Sequence, residues 1–331
     1  MKNKLYSVVV PLYNEEEVIK ESYYRLTRVL QEIEGDYQLI FVNDGSKDQT
    51  EMLARSIAEN DDKVVLLNFS RNFGHQNAIT AGMDYADGDA VIVIDADLQD
   101  PPELIYQMIE KFNQGYDVVY AVRSKRNGES IFKKVTAKLF YRTLNKMVDI
   151  DIPLDTGDYR LISREACDIL KRMRERNRFV RGMVSWIGFK QTGIEFERDE
   201  RFAGETKYTL SKMIKFSLDG IISFSTKPLK FSIHIGLIMA SLSFVYALYL
   251  IIAKGFSGRT VEGWTTIVVL ILLIGGIQMV TLGVVGEYIA RIYDESKNRP
   301  LYVIKDEIGS RAPNDVENIN ASNPIYEHSN K

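Results

Sequence analysis

Val91-Ile92-Val93-Ile94-Asp95-Ala96-Asp97-Leu98-Gln99-Asp100 is the stretch that decides the fold of this 331-residue chain. Four β-branched apolar residues run straight into carboxylates, the pattern of a buried parallel strand that ends at a ligand site. In open α/β sheets, ligands collect at the carboxyl ends of the strands. Side chains alternate along extended backbone, so Asp95, Asp97 and Gln99 share one side if the geometry continues past the strand. Oxygen donors of this kind suit a hard divalent cation, Mg²⁺ or Mn²⁺, which in turn suits a diphosphate. The competing reading is that these acids only cap the next helix. It accounts for Asp100, since Asp100-Pro101-Pro102-Glu103 reads as a capping box with proline in the first turn. It leaves Asp95, Asp97 and Gln99 unexplained.

Working outward, strand and helix signals alternate from the first residues to about 125. Residues 7–10 read as a first strand ended by Pro11, and Asn14 as the cap of a helix from Glu15. Gln38-Leu39-Ile40-Phe41-Val42 reads as a second strand ended by Asn43-Asp44-Gly45-Ser46. A helix follows near 48–59, then a strand at 64–68, a helix near 76–85 and the strand at 90–94. Strands separated by helices of this length build a doubly wound, mostly parallel sheet through right-handed crossovers. Neither a Gly-x-Gly-x-x-Gly turn nor a phosphate-binding Walker loop follows the first strand. Asp44 ends a strand beside a glycine turn. It serves either local turn hydrogen bonds or a ligand N–H or hydroxyl, such as a nucleobase edge.

A net charge of −3 gives no support for a nucleic-acid partner. The single cysteine, Cys167, rules out an internal disulfide and a cysteine-based zinc site, and His75, His234 and His328 lack metal-ligand spacing. The N-terminal apolar run is too short for a signal peptide, which places the N-terminal part in the cytosol. Residues 231–253 and 264–286 carry no formal charge, and each exceeds the roughly 20 apolar residues needed to cross a bilayer. Lys227 and Lys230 precede the first span and Arg291, Lys297 and Arg299 follow the second, against Lys254 and Arg259 between them. That bias predicts a transmembrane hairpin in the plasma membrane with the large domain and both termini cytoplasmic. The expected order is a catalytic domain over 1–205 and amphipathic juxtamembrane helices over 206–228. Spans over 229–253 and 264–290 and a tail over 291–331, disordered from about 309, complete it. Gly275, Gly276, Gly283 and Gly286 permit close helix packing, compatible with a homo-oligomer.

Between 125 and the first span, residues 131–147 place Phe132, Val135, Leu139, Phe140 and Met147 at helical spacing opposite Lys133, Lys134, Lys138, Arg142 and Lys146. Such a helix packs on its own domain or lies in an anionic membrane interface; the second suits a membrane-tethered chain better. Residues 209–225 repeat the theme. Leu154-Asp155-Thr156-Gly157-Asp158-Tyr159-Arg160 sets two acids about Thr-Gly, and Arg198, Arg201, Gly204, Lys207 and Tyr208 form a basic loop able to close over phosphates.

Taken together, Val9-Val10-Pro11-Leu12-Tyr13-Asn14-Glu15-Glu16, Val42-Asn43-Asp44-Gly45-Ser46-Lys47-Asp48, Asp95 to Glu103 and Thr156-Gly157-Asp158-Tyr159-Arg160 resemble family-2 glycosyltransferases. The subgroup they resemble is the polyprenyl-phosphate glycosyltransferases, with bactoprenol glucosyltransferases and dolichyl-phosphate mannose synthases. The resemblance spans residues 7–300. The Gln-x-x-Arg-Trp motif of processive relatives does not occur in this chain, which favours transfer of a single sugar. The resemblance implies a nucleotide-sugar-binding glycosyltransferase A-type fold with Pro11, Tyr13, Glu15 and Asp44 around the nucleotide, usually UDP. It implies Asp95, Asp97 and Gln99 on Mg²⁺ or Mn²⁺ against the diphosphate, and Arg123 and Lys207 on phosphate groups. Asp158 falls at the acceptor side, either as a base or as an orienting residue for Arg123 or the attacking phosphate. The implied donor is a UDP-sugar, glucose ahead of N-acetylglucosamine, and the implied acceptor a polyprenyl phosphate such as undecaprenyl phosphate. The alternative is a catalytically silent, membrane-anchored nucleotide-sugar-binding scaffold, against which the intact acids Asp95, Asp97 and Asp158 argue.

Overall fold

The structure is a computed structural model and describes residues 4–125, 153, 156–197, 222, 225–257 and 263–309. The basic helix expected at 131–147, most of 209–225, the basic loop with Lys207 and the tail beyond 309 lie outside the described residues. The described residues divide into two compact units, one holding 4–125, 153, 156–197 and 299–309, the other 222, 225–257 and 263–298.

The first unit is built on β1 (Leu5–Leu12), β2 (Asp36–Asn43), β3 (Val64–Phe69) and β4 (Ala90–Val93), parallel neighbours in the order β4-β1-β2-β3. They are joined by α1 (Ile19–Glu32), α2 (Thr50–Asn60) and α3 (His75–Tyr85). Helix α4 (Leu104–Asn113) leads to β5 (Val118–Lys125). Strand β6 (Thr156–Ser163) then inserts antiparallel between β4 and β5. Helices α5 (Arg164–Arg172) and α6 (Val180–Trp186) precede β7 (Gln191–Glu197), which lies parallel to β5 at one edge. The other edge is β8 (Ile304–Ile308), antiparallel to β3. Among the described residues this is one doubly wound, mostly parallel sheet of eight strands, as the alternating signals predict.

The reason lies in side-chain alternation. Val8 and Val10 of β1 join Leu39 and Phe41 of β2 and Ile92 of β4 in a cluster with Leu26 and Leu30 of α1, Ala54 of α2 and Ile105 and Met108 of α4. Val9, equally buried, faces the other way, where Gly82 of α3 lies directly on it. Strands buried on both faces must be continuously apolar, hence the runs Val8-Val9-Val10 and Val91-Ile92-Val93.

Two expected caps are corrected. Asn14 does not open a helix at Glu15: its φ is +54°, and its side-chain oxygen accepts from Lys47 N at 2.8 Å. Helix α1 starts only at Ile19. Asparagine tolerates this left-handed conformation better than most residues, and here it ties the loop after β1 to the loop after β2. Asp100 turns its carboxylate to Arg123 of β5 at 3.3 Å, while Glu103 stands at the start of α4 and pairs with Arg25 at 3.0 Å. Strand β8 was unforeseen within the expected tail. It is held by Arg55–Asp306 at 2.6 Å and by Tyr302, which stacks on Phe69 with centroids 5.2 Å apart and donates to Asp84 at 2.7 Å.

The second unit contains α7 (Lys227–Ser257) and α8 (Trp264–Ser296), longer at their ends than the expected spans. Both are long and apolar enough to cross a membrane. Their apolar side chains are outward-facing: Phe231, Leu237, Phe244, Ile271, Met279 and Ile292 are all exposed, the reverse of a soluble core helix.

Candidate active site

The chain order turns back between β1 and β4, so their carboxyl ends form the switch point at which doubly wound sheets bind ligands. The loops after β1, β2, β3 and β4 all leave that edge. Strand β6 runs the opposite way, with Val93 opposite Arg160, so its first residues return to the place where Asp95 emerges. This register brings Asp158 beside the acids after β4.

Asp158 is buried, its side chain 7% exposed. Arg181, in the first turn of α6, clamps it through Nε to Oδ1 at 2.9 Å and Nη2 to Oδ2 at 3.1 Å. Gln76 Nε2 donates to Oδ2 at 3.3 Å, and His75 Nε2 lies at the same distance. Arg160 sits nearly buried alongside, its guanidinium on the carbonyls of Gly157 and Asp158. Burial alone would raise the Asp158 pKa, but the Arg181 charge and the hydrogen bonds from His75 and Arg181 outweigh it and hold the carboxyl well below its usual range.

His75 bridges to the other side of the site, 3.5 Å from Asp95 Oδ1. Burial opposes its charge, yet the Asp158 hydrogen bond and the Asp95 charge raise its pKa to about 9. Asp95 is pushed up, first by burial and then by the neighbouring charges of Asp158, Asp97 and Asp100. Its buried Oδ1 accepts no hydrogen bond. The mutual repulsion of neighbouring carboxylates that raises Asp95 is what a divalent cation would relieve. Asp97 Oδ1 accepts from Gln99 N at 3.1 Å, with Leu98 between them at φ +56°. Among the described residues, no three His, Cys, Asp or Glu side chains form a metal-binding group by themselves. Two carboxylates and the Gln99 amide would therefore need substrate oxygens to complete an ion's shell.

The other expected site residues are distributed as follows. Pro11 is buried in β1 opposite Val42, and Tyr13 is 37% exposed at the loop that follows. Glu15 N donates to Thr50 Oγ1 at 2.8 Å. Asp44 is buried, its Oδ1 accepting from Phe73 N at 2.6 Å and its Oδ2 from Gly74 N at 3.0 Å, so it anchors the loop after β3. Burial raises its pKa against those hydrogen bonds. Arg123 lies at the β5 side on Asp100, close to Gly157, where a Cβ would stand 2.8 Å from its Nη2. The arginine on Asp158 is thus Arg181, not Arg123.

His75, Gln76 and Arg181 were missed in the sequence. His75 and Gln76 follow β3, and the rule that singled out the ends of β2 and β4 applies there equally. Arg181 carries no local signal; its role depends on a partner 23 positions earlier.

Comparison with known proteins gives the family. Residues 7–170 match the glycosyl transferase family 2 model, and residues 227–292 match the GtrB C-terminal hairpin. The uncharacterized glycosyltransferase YkcC of Bacillus subtilis is 57% identical over 92% of this chain and 94% of its own length. The bactoprenol glucosyl transferase of Shigella phage SfV is 46% identical over 91% of this chain and 98% of its own. The prophage bactoprenol glucosyl transferase homolog of Escherichia coli K12 is 45% identical over 90% and 98%. With its sheet, its acid-rich strand ends and its pair of apolar helices, the chain belongs to glycosyl transferase family 2, in the group that carries the GtrB C-terminal hairpin.

Proposed function

We propose that this glycosyltransferase moves one sugar from a UDP-sugar, glucose in preference to N-acetylglucosamine, onto undecaprenyl phosphate. The product is a membrane-bound sugar donor for cell-envelope glycosylation. The observation that carries the reading is the meeting of Asp95, His75, Asp158 and Arg181 at the sheet's switch point. The relatives named bactoprenol glucosyl transferase supply the acceptor class.

Pro11, Tyr13, Glu15 and Asp44 surround the nucleotide in this reading. Asp95, Asp97 and Gln99 would hold Mg²⁺ or Mn²⁺, with Lys207 and Arg123 on phosphate groups. The bound ion would supply charge neutralisation of the diphosphate. A lipid phosphate loses its second proton near a pKa of about 6, so at neutral pH its oxygen is already a nucleophile. That oxygen forms the bond to the anomeric carbon while the bond to the UDP β-phosphate breaks. The electron pair leaves with UDP, and the configuration inverts. No proton has to be removed in the step. Two apolar helices in sequence, flanked by Lys and Arg, support a multi-pass plasma-membrane protein with its catalytic unit and both termini in the cytoplasm. The return of the chain to the catalytic sheet at β8 supports an even number of crossings.

The test is a panel of labelled UDP-sugars with the full chain, undecaprenyl phosphate and Mg²⁺ or Mn²⁺ in detergent. Label from UDP-glucose should enter an organic-extractable product labile to mild acid. UDP-sugar binding without transfer from any donor would instead favour the silent scaffold.

A further inference from the structure

We propose that Arg181 binds the phosphate of the lipid acceptor, and that Asp158 is a positioning residue that presents it. The inference rests on the acceptor class proposed above. Both oxygens of Asp158 are occupied by donors, Oδ1 by Arg181 and Oδ2 by Arg181, Gln76 and His75. A carboxylate held in this way is a poor recipient for a proton and a good template for a cation. The paired Nε and Nη2 contacts fix the plane of the guanidinium as well as its place. Arg160, among the described residues the other arginine within 4.0 Å of Asp158, is 4% exposed and spends its donors on backbone carbonyls. Arg181 is 21% exposed, so of the two it is the one a ligand can reach.

Arg181 and Arg123 hold different carboxylates. Arg123, comparably exposed at 23%, is turned to Asp100 on the β5 side. Arg181 is instead carried by α6, whose far end presents Trp186, 60% exposed. The two lie five positions apart, about 7.5 Å along the axis and about 140° round it. An exposed indole on the helix that carries the cation suits an acceptor whose phosphate is joined to an apolar tail. Tryptophan is also the residue enriched at membrane–water interfaces. Gln76 reinforces the arrangement from α3, since its Oε1 accepts from Val180 N at 3.0 Å while its Nε2 holds Asp158. The start of α6 and Asp158 are therefore joined twice, through Arg181 and through Gln76.

The experiment uses the full chain in detergent with undecaprenyl phosphate and UDP-glucose. Arg181→Gln should raise the KM for undecaprenyl phosphate roughly 10- to 100-fold, the range for loss of a hydrogen-bonded charge. The Kd for UDP-glucose should stay within about twofold, which also certifies folding. Asp158→Asn should raise the same KM, and the double variant should be no worse than Arg181→Gln alone, because the two act as one unit. Arg181→Lys, which keeps the charge but not the fork, should recover part of the loss. An unchanged acceptor KM in Arg181→Gln, with only kcat or thermal stability reduced, would make the pair a structural salt bridge and overturn the proposal. Multiplying effects of Asp158→Asn and Arg181→Gln would overturn the positioning role. Should the wild type transfer no sugar to undecaprenyl phosphate at all, it is the acceptor assignment that fails, and the variants are not needed to show it.

Discussion

Gly82→Ala tests how the site is held from behind. A Cβ at position 82 would stand 2.1 Å from Val9 Cγ1 and 3.0 Å from its Cβ and Cγ2. Carbon atoms pack at about 3.5 Å, so helix or strand must retreat by about 1.4 Å. Val9 is fully buried at the centre of β1 and cannot swing into solvent. Alanine in a helix interior gains about 0.8–1.0 kcal/mol over glycine, while overpacking a core costs about 1–3 kcal/mol or more. With an overlap this deep the cost lies at the upper end, leaving a net loss of about 2 kcal/mol. Thermal or urea unfolding of the full chain in detergent measures it. Val9→Ala removes both offending methyls and, alone, should cost at least about 1.6 kcal/mol for two buried carbons. The double variant should beat the sum of the singles by about 1 kcal/mol or more. Because α3 begins at His75 and Gln76, both on Asp158, Gly82→Ala should also slow turnover, and Val9→Ala should restore part of it. Wild-type stability in Gly82→Ala, or simple additivity in the double variant, would refute this packing argument.

Three further outcomes follow from the same geometry. The Asp158 carboxyl, lowered well below its usual range, stays ionised through neutral and mildly acid pH; its stabilising contribution is complete above about pH 4 and is lost as pH falls through the depressed pKa. Between pH 5 and 8 wild-type activity should thus follow the lipid phosphate, rising through about pH 6, and in Asp158→Asn the His75 pKa, no longer held up by the Asp158 carboxylate, should fall toward neutral; a wild-type acid limb that does not match the ionisation of the lipid phosphate would restore Asp158 as a base. Asp97→Ala should abolish turnover and remove the Mg²⁺- or Mn²⁺-dependent part of UDP-glucose binding in calorimetry, whereas full activity in the variant, or in wild type under excess chelator, would discard the metal. Tyr302→Phe keeps the stack on Phe69 but loses the hydroxyl on Asp84, and should lower stability by about 0.5–1.5 kcal/mol with UDP-glucose binding unchanged.

Much of the fold was legible because its central strands are buried on both faces, which forces unbroken apolar runs such as Val64-Val65-Leu66-Leu67. The apolar helices were legible for an analogous reason, since length and absence of charge are properties of the sequence itself. Strand β6 was hidden because Asp158 and Arg160 interrupt it, and nothing local tells that Arg160 is buried on carbonyls. Strand β8, Ile-Lys-Asp-Glu-Ile, alternates like any edge or amphipathic segment, and only its pairing with β3 makes it a strand. Asn14 misled because one side-chain chemistry serves both a helix cap and a left-handed turn. The acids of the site could be read from their places at strand ends. Of the group that holds Asp158, His75 and Gln76 were open to the same rule, but Arg181 was not, since β6 and α6 meet there only once the sheet has formed.

Strand β8 also dictates an order of events during synthesis. Its contacts with the sheet span 238 residues from Asn68 and 251 from Arg55, with both apolar helices lying in between. The sheet's outer edge therefore stays open while both apolar helices emerge, and it closes only when residues near 308 have left the ribosome. Contacts this distant in sequence form late, and an uncovered edge strand invites pairing with other chains until they do. A chain stalled or cut ahead of the hairpin would carry every acid of the site on a sheet that never acquires its final edge.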